Sequence, residues 1–305
     1  MKAVVTGGAG FIGSHMVDAL VDQGAEVHVI DNMSTGRAEH VHAQAQLHVL
    51  DIGSPQAKKL ILRVKPDVVF HQAAQVDVVK SIADPVRDAT VNIGGSVNII
   101  EAAAQAGVKK LVYASSSAVY GDVQADVLTE DESTNPISFY GISKLTPELY
   151  LRVFQQLYGL PYTVLRYANV YGPRQTAKGE GGVIAIFLDR IRRGKPLTVF
   201  GDGGQTRDFV YVTDVVHANL AAMQGGSGAT LQVGTSRRTS VREVVAKLEA
   251  IHGAPLTVEH EPDRPGDIRD SCLDHRRIRK HLRWTPQYEL DAGLRETYAH
   301  VMNQP

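Results

Sequence analysis

The chain has 305 residues and a formal charge of -1, with 43% hydrophobic and 21% charged residues. That near-neutral balance excludes broad electrostatic binding of nucleic acid or an anionic membrane surface as the main activity. The single cysteine rules out an internal disulfide, no apolar run nears the roughly 20 residues that span a bilayer, and no signal-peptide layout opens the chain, so a cytoplasmic protein is expected.

Short apolar runs at 2–6, 26–30, 47–50, 67–70, 110–114 and 162–167 read as strands. Helix-like segments separate them, among them 86–106 and 139–158. Nearly continuous apolar strands alternating with helices predict a parallel sheet covered on both faces, doubly wound by right-handed crossovers. After residue 168, Gly and Pro punctuate the chain at "YGPR", "RRGKP", "FGDGGQ" and "DRPGD", with a further helix expected at 240–252. The expected fold is therefore α/β: a doubly wound parallel Rossmann sheet with a smaller α/β substrate-binding lobe. The expected division gives 1–168 plus about 210–235 to the sheet domain, and 169–209 and 236–305 to the lobe.

The stretch "VVTGGAGFIGSH" follows the first strand and opens the first helix, carrying Gly7, Gly10 and Gly13. Glycines at this spacing allow a tight turn, let backbone amides approach a pyrophosphate, and let helix and strand pack closely. Asp31 ends the second strand, where a carboxylate accepts from the ribose hydroxyls and repels a 2'-phosphate. This favours NAD over NADP. Asp51 ends the third strand similarly, where a carboxylate can meet an adenine amino group, cap a helix or face solvent, and "HQAAQ" (71–75) offers small residues after the fourth. No metal is called for.

Tyr140 and Lys144, in "SFYGISK", are four apart and share a helix face. A tyrosine is a poor base at neutral pH unless a neighbouring ammonium favours its phenolate. The pair can then take a proton from a sugar hydroxyl while hydride leaves the same carbon. A surface Tyr/Lys pair shares the spacing, so the preceding dinucleotide pattern carries this reading.

With "TGGAGFIGS", "DNMSTG", "HQAAQ", "VNIGGSVNIIEAA", "SSSAVYG", "YGISK", "LRYANVYGPR", "FGDGGQTRDFVYVTD" and "RPGDIRDSCLD" in order, the chain resembles the extended short-chain dehydrogenase/reductases, in their UDP-glucose 4-epimerase group of nucleotide-sugar epimerases. The resemblance implies tightly bound NAD, a UDP-sugar substrate and a homodimer built on helices near 86–106 and 139–158. It implies catalytic roles for Tyr140, Lys144 and Ser116. Cofactor contacts are implied for Gly7, Gly10, Phe11, Ile12 and Gly13, for Asp31, Asn32, Ser34, Thr35 and Gly36, and for Asp51, Ile52, Gln72, Ala73, Ala74 and Gln75. Asn92, Ser115, Tyr140, Lys144 and Tyr167 complete that set, Asn92 at the nicotinamide end. Substrate contacts are implied for Ser116, Ser117, Tyr140, Asn169, Val183, Phe200, Arg207, Arg264, Asp267 and Ser271, the last aligning with a gate facing the C2 substituent, so that UDP-N-acetylhexosamines fall within range.

Similar 4,6-dehydratases carry Thr-Asp-Glu where Ser116, Ser117 and Ala118 stand, and similar decarboxylases a glutamate where Ala118 stands. Epimerisation at C4 needs neither acid. UDP-glucuronate 4-epimerisation stays open, as does an NAD-binding sensor or scaffold, against which the intact Tyr140, Lys144 and Ser116 argue. Two departures stand out. Val76 replaces a lysine found near the nicotinamide in some relatives, and Pro147 is expected to kink or restart the Tyr140 helix.

Overall fold

The computed structural model describes residues 1–123, 125–177, 182–262 and 268–303. Its first half alternates strand and helix: β1 (Lys2–Thr6), α1 (Phe11–Asp22), β2 (Glu26–Asp31), β3 (Gln46–Val49), α2 (Pro55–Val64), β4 (Val68–His71), α3 (Val78–Ala83), α4 (Pro85–Ala89), α5 (Ser96–Ala106), β5 (Lys110–Ser116), α6 (Phe139–Tyr158) and β6 (Tyr162–Tyr167). The second half holds β7 (Asn169–Tyr171), α7 (Val183–Arg192), β8 (Leu197–Phe200), β9 (Thr206–Arg207), β10 (Phe209–Tyr211), α8 (Val212–Gln224), β11 (Ala229–Val233), β12 (Thr239–Ser240), α9 (Val241–His252), β13 (Val258–Glu261), α10 (Arg276–Leu282) and α11 (Leu290–Met302).

Seven strands form one sheet in the order β11-β6-β5-β4-β1-β2-β3, and every neighbouring pair is parallel. β1, β4 and β6 are buried almost end to end, which is why their sequences are apolar runs rather than alternating ones. One face packs Met16, Val17 and Leu20 of α1 and Val215, Val216 and Ala218 of α8 on the strands. The other packs Leu60 and Ile61 of α2, Ile99 and Ile100 of α5 and Leu151 of α6. The chain leaves the sheet after β6 and returns only for β11.

Local chemistry sets the helix ends. Ser54 accepts from the Ala57 amide ahead of Pro55, and Ser138 accepts from the Gly141 amide, opening α6. Gly159, at φ 68°, closes α6 in the left-handed turn that glycine tolerates. Two expectations change. The segment 86–106 is helical throughout but not α-helical throughout: α4 passes through a π-turn at Thr90–Gly95 into α5. And α6 runs unbroken through Pro147. Thr146 Oγ1 donates to the Ile142 carbonyl (2.9 Å), and burial of Lys144, Pro147, Glu148 and Leu151 on the sheet side holds the backbone in register.

A further hydrophobic cluster gathers Phe187, Leu188, Leu197, Val244, Leu248 and Leu294, wholly or almost wholly buried, together with Phe11 of α1 and Val212 of α8. β7 pairs with β10 and β8 with β13 in parallel, while β9 pairs with β12 antiparallel. Asp214 on α8 ties the C-terminal segment back to the sheet, accepting from the Gln287 and Tyr288 amides (2.9 and 3.0 Å) while its carbonyl receives Trp284 Nε1 (3.0 Å). No helix among the described residues is long and apolar enough to cross a membrane.

Candidate active site

The strand order reverses direction about β1, so the crossovers that follow β1 and β4 run to opposite sides of the sheet and leave a crevice at the strands' C-terminal ends. A cleft of about 550 Å³ opens there. Of the residues expected at a cofactor, it brings together Gly7, Gly10, Phe11, Ile12, Gly13, Asp31, Asn32, Ser34, Thr35, Ile52, Gln72, Ala73, Ala74, Gln75 and Tyr140.

The glycine loop is built for close approach. Gly7 has φ 70°, and a Cβ there would lie 2.8 Å from Ala73 N and Cα, so the β1 and β4 loops touch directly. A Cβ on Gly13 would lie 2.7 Å from Gly7 C and nearer still to its oxygen. No side chain caps α1, whereas α2, α6 and α9 each carry a serine cap. The first amides of α1 therefore meet the cleft, where their partial positive charge suits an anion. Asp31 is 7% exposed and accepts from the Ala9 and Met33 amides (3.0 and 2.8 Å), fixing the loop while still lining the cleft. The cradle that only glycine fits, the uncapped helix start and the buried aspartate together suit the diphosphate and ribose of NAD.

Asp51 stands outside this lining. Its carboxylate accepts from Asn32 Nδ2 (2.9 Å) and the Gly53 amide (2.8 Å). Gly36 packs against Asp31, within 2.9 Å of its Oδ1 for an added Cβ. Tyr167 is 6% exposed, and its hydroxyl meets Asn219 and Gln72, so it supports the "HQAAQ" loop from inside. Asn92 is 1% exposed and does the same from the π-turn: Oδ1 accepts from the Gln75 amide (2.7 Å), and Nδ2 donates to the Gln75 carbonyl (2.8 Å) and Ser143 Oγ (2.9 Å).

Tyr140 begins α6 at the cleft, and its amide donates to Ser81 Oγ (3.2 Å). Lys144 lies one turn on, 4% exposed, with Nζ over the Tyr113 ring at 4.9 Å from its centroid. Burial lowers the Lys144 ammonium to a pKa of about 8, opposed by the negative charges of Glu148 and Asp88. Behind it, His71 is bracketed by Thr6 Oγ1 (2.6 Å) and Ser96 Oγ (2.9 Å), and burial, reinforced by Lys144, pushes its pKa down to about 3. That imidazole is neutral at physiological pH.

The three serines end β5 and divide by strand alternation. Ser115 faces α6 and donates to Glu148 Oε1 (2.5 Å). Ser116 is half-buried, its Oγ accepting from the Ala118 amide (3.2 Å). Ser117 opens a short 3-10 turn over Ser117–Val119.

The other expected substrate residues fall after β6, and of those described only Asn169 lines the cleft. Asn169 starts β7 and lines the cleft. Val183 starts α7, beside the lining residue Gly182. Phe200 ends β8. Arg207, on β9, donates from Nη1 to the Thr206 and Arg269 carbonyls (2.8 and 3.2 Å). Ser271 is 9% exposed and joins β9 through its amide to the Thr206 carbonyl (3.2 Å). Arg264 and Asp267 lie outside the described residues.

Sequence reasoning passed over the cleft wall formed by α3 and α4, where Lys80, Asp84, Arg87 and Asp88 join the lining. It also passed over the buried Glu148–Arg166 pair beneath the serines. A glutamate four residues after Lys144 on the same helix face was the available signal. Among the described residues, no cluster of three or more His, Cys, Asp or Glu can hold a metal ion.

A family model described as the NAD dependent epimerase/dehydratase family matches residues 3–234. A UDP-glucose 4-epimerase of Mycolicibacterium smegmatis is 42% identical over 100% of this chain and 99% of that protein. The solved UDP-glucose 4-epimerase of Thermotoga maritima, determined with UDP-glucose, is 44% identical with a TM-score of 0.96, covering 98% of each chain. That of Thermus thermophilus, in complex with NAD, is 40% identical with a TM-score of 0.95, covering 99% of each.

Proposed function

The chain belongs to the NAD dependent epimerase/dehydratase family, and from that premise we propose that it is an isomerase interconverting UDP-glucose and UDP-galactose by inverting C4 of the hexose. The observation that carries the choice of reaction is a base with no carboxylate at the two positions after Ser116. Tyr140 lines the cleft with Lys144 buried one turn behind it, while Ser117 and Ala118 occupy the places where elimination or decarboxylation needs carboxylates. The carboxylate beneath the serines, Glu148, is already held by Arg166 and Ser115.

The chemistry NAD supplies when bound is reversible acceptance of the C4 hydride. The chain's own residues handle the proton and the position. The Tyr140 phenolate takes the proton of the C4 hydroxyl and returns it to the oxygen after the ring has presented its other face. The Lys144 ammonium favours that phenolate through its charge. Ser116 holds the reacting oxygen, Asn169 and Arg207, with Arg264 and Asp267, hold the nucleotide diphosphate and ribose from the lobe, and Ser271 faces the C2 substituent of the sugar. Residues 1–168 with about 210–235 serve the cofactor, and 169–209 with 236–305 serve the sugar nucleotide.

An exposed apolar face supports a homodimer. Val79, Ile82 and Val86, on α3 and α4, are 70%, 62% and 75% exposed, and Leu157 and Tyr158 of α6 are 67% and 68% exposed. α3 and α4 pack on α6. A two-fold dimer would cover them.

The test is product identification by NMR after separate incubation with UDP-glucose, UDP-galactose, UDP-N-acetylglucosamine, UDP-glucuronate and dTDP-glucose. Conversion of UDP-glucose to UDP-galactose is expected, and its absence refutes the reading. Tyr140→Phe should lower kcat by about 10²–10⁴-fold while the purified protein keeps its NAD. Undiminished turnover would show that another group takes the proton.

A further inference from the structure

β5 and β6 pair in parallel with Ser115 opposite Arg166 and Tyr113 opposite Val164. Strand alternation therefore turns Tyr113, Ser115 and Arg166 toward α6. On α6, Lys144 and Glu148 are one turn apart and both face the sheet. Lys144 lands over Tyr113 and Glu148 over the Ser115–Arg166 pair.

Glu148 is fully used there. Its Oε1 accepts from Ser115 Oγ (2.5 Å) and Arg166 Nε (3.0 Å), and its Oε2 from Arg166 Nη2 (2.6 Å). The third arm of the guanidinium, Nη1, donates to Tyr120 Oη (2.8 Å), which also receives Gln232 Nε2 (2.5 Å) from the edge strand β11. Glu148 and Arg166 are 7% and 6% exposed. A buried pair of this kind seldom exceeds an apolar substitute in stability, because desolvation offsets the attraction. Its value lies in orientation: a bidentate fork fixes both partners in one geometry. What it fixes is the part of α6 that carries Lys144, against the strand end that carries Ser116.

We propose that Glu148 is a positioning residue for the Tyr140 and Lys144 chemistry, locking α6 through Arg166 and Ser115 onto the ends of β6 and β5. The proposal rests on the proposed epimerase reading for its kinetic arm only. Its electrostatic part concerns Lys144 alone. The groups facing that ammonium are Glu148 on α6, Asp88 on α4, His71 on β4 and Tyr113 on β5, with Arg166 on β6 beyond Glu148. Burial lowers the affinity of Lys144 for its proton, and Glu148 and Asp88 raise it. Removing the Glu148 charge deletes one of the two anions and leaves the Arg166 cation uncompensated. Both changes work against the ammonium.

The experiment compares wild type with Glu148→Gln, which keeps the shape and removes the charge. In the NAD-loaded protein, ¹⁵N-lysine NMR follows Lys144 Nζ, assigned by its loss in Lys144→Arg. The expected midpoint in Glu148→Gln is lower by about one pH unit, a tenfold loss of proton affinity. In turnover, the alkaline limb of kcat moves down with it, while KM for the UDP-sugar stays within about twofold. A midpoint and limb that do not move overturn the proposal, even if the variant is less stable. The NMR arm needs no substrate, so an inactive wild type would refute the epimerase reading while Lys144 still reports on Glu148. Should Glu148→Gln fail to fold, Glu148→Asp keeps the charge and withdraws it from Ser115 by one methylene. It should lower kcat at least threefold with the limb in place, and wild-type kcat there overturns the proposal.

Discussion

Gly13→Ala tests the cofactor cradle most directly. The added Cβ would lie 2.7 Å from Gly7 C and 2.9 Å from Gly8 Cα, and nearer still to the Gly7 oxygen. Contacts become ordinary at 3.4 Å, so α1 and the loop must part by about 0.7 Å at the carbon and by more at the oxygen. The neighbours are backbone, so no side chain can swing aside. Overpacking of this kind costs about 1–3 kcal/mol, and at roughly 2–4 °C per kcal/mol the midpoint of thermal unfolding should fall by about 2–12 °C. The same displacement draws the first amides of α1 away from a diphosphate. Losing one charge-assisted hydrogen bond, worth about 1.5–3 kcal/mol, weakens NAD binding about 10- to 150-fold. NAD extracted from the purified protein, measured by chromatography beside differential scanning calorimetry, reads both effects. Gly94→Ala is the control: its Cβ meets nothing within 4 Å, and the change should be neutral or stabilising by up to about 1 kcal/mol. A Gly13→Ala protein with full NAD and the wild-type midpoint would refute the cradle.

Three further outcomes follow from the structure. Lys144 holds its proton below a pKa of about 8 and loses it above, so kcat should decline as pH rises through 8, and a rate flat from pH 7 to 10 would exclude Lys144 as the charge that activates Tyr140. Leu157→Asp places a carboxylate on the exposed apolar face, and sedimentation velocity should show the wild-type dimer becoming a monomer of unchanged circular dichroism; a monomeric wild type would remove the dimer. Cys272 is 1% exposed and its thiol is pushed up to about 12, chiefly by burial, so an aromatic disulfide reagent at pH 8 should leave it untouched in the native protein and label it in denaturant, whereas fast native labelling would contradict the packing.

The sheet was legible because its strands are buried on both faces. KAVVT was bounded by its hydrophobicity, and YTVLRY by its β-branched and aromatic residues despite Arg166, and both match β1 and β6. β11, ATLQV, gave a weaker signal because Gln232 interrupts it. That side chain is fully buried and bonded to Tyr120 Oη, a partner 112 residues away that no local pattern reveals. The π-turn within 86–106 left no local mark, because helical periodicity continues across it; inside it Asn92 binds the Gln75 backbone of another loop. Pro147 misled in the opposite direction, since local propensity yields to a helix face buried on both sides of it. At the site, the glycine loop, Asp31 and the Tyr140/Lys144 spacing were readable because each is a short-range pattern. The Glu148 clamp and the Lys80 and Arg87 wall were not, because they depend on strand register and on how α3 and α4 lie against the sheet.

The place of β11 in the sheet has a consequence for synthesis on the ribosome. β1 to β4 and the loops that cradle the dinucleotide are all encoded before residue 76, yet the sheet's last strand is Ala229–Val233. At about 5–20 residues per second, the nascent chain spends roughly 3 to 12 s between completing β6 and starting β11, with β6 as an open edge. Arg166, on that edge, must find Glu148 before Tyr120 finds Gln232. The clamp is therefore local to β5, α6 and β6, and it can form while the lobe is still being made.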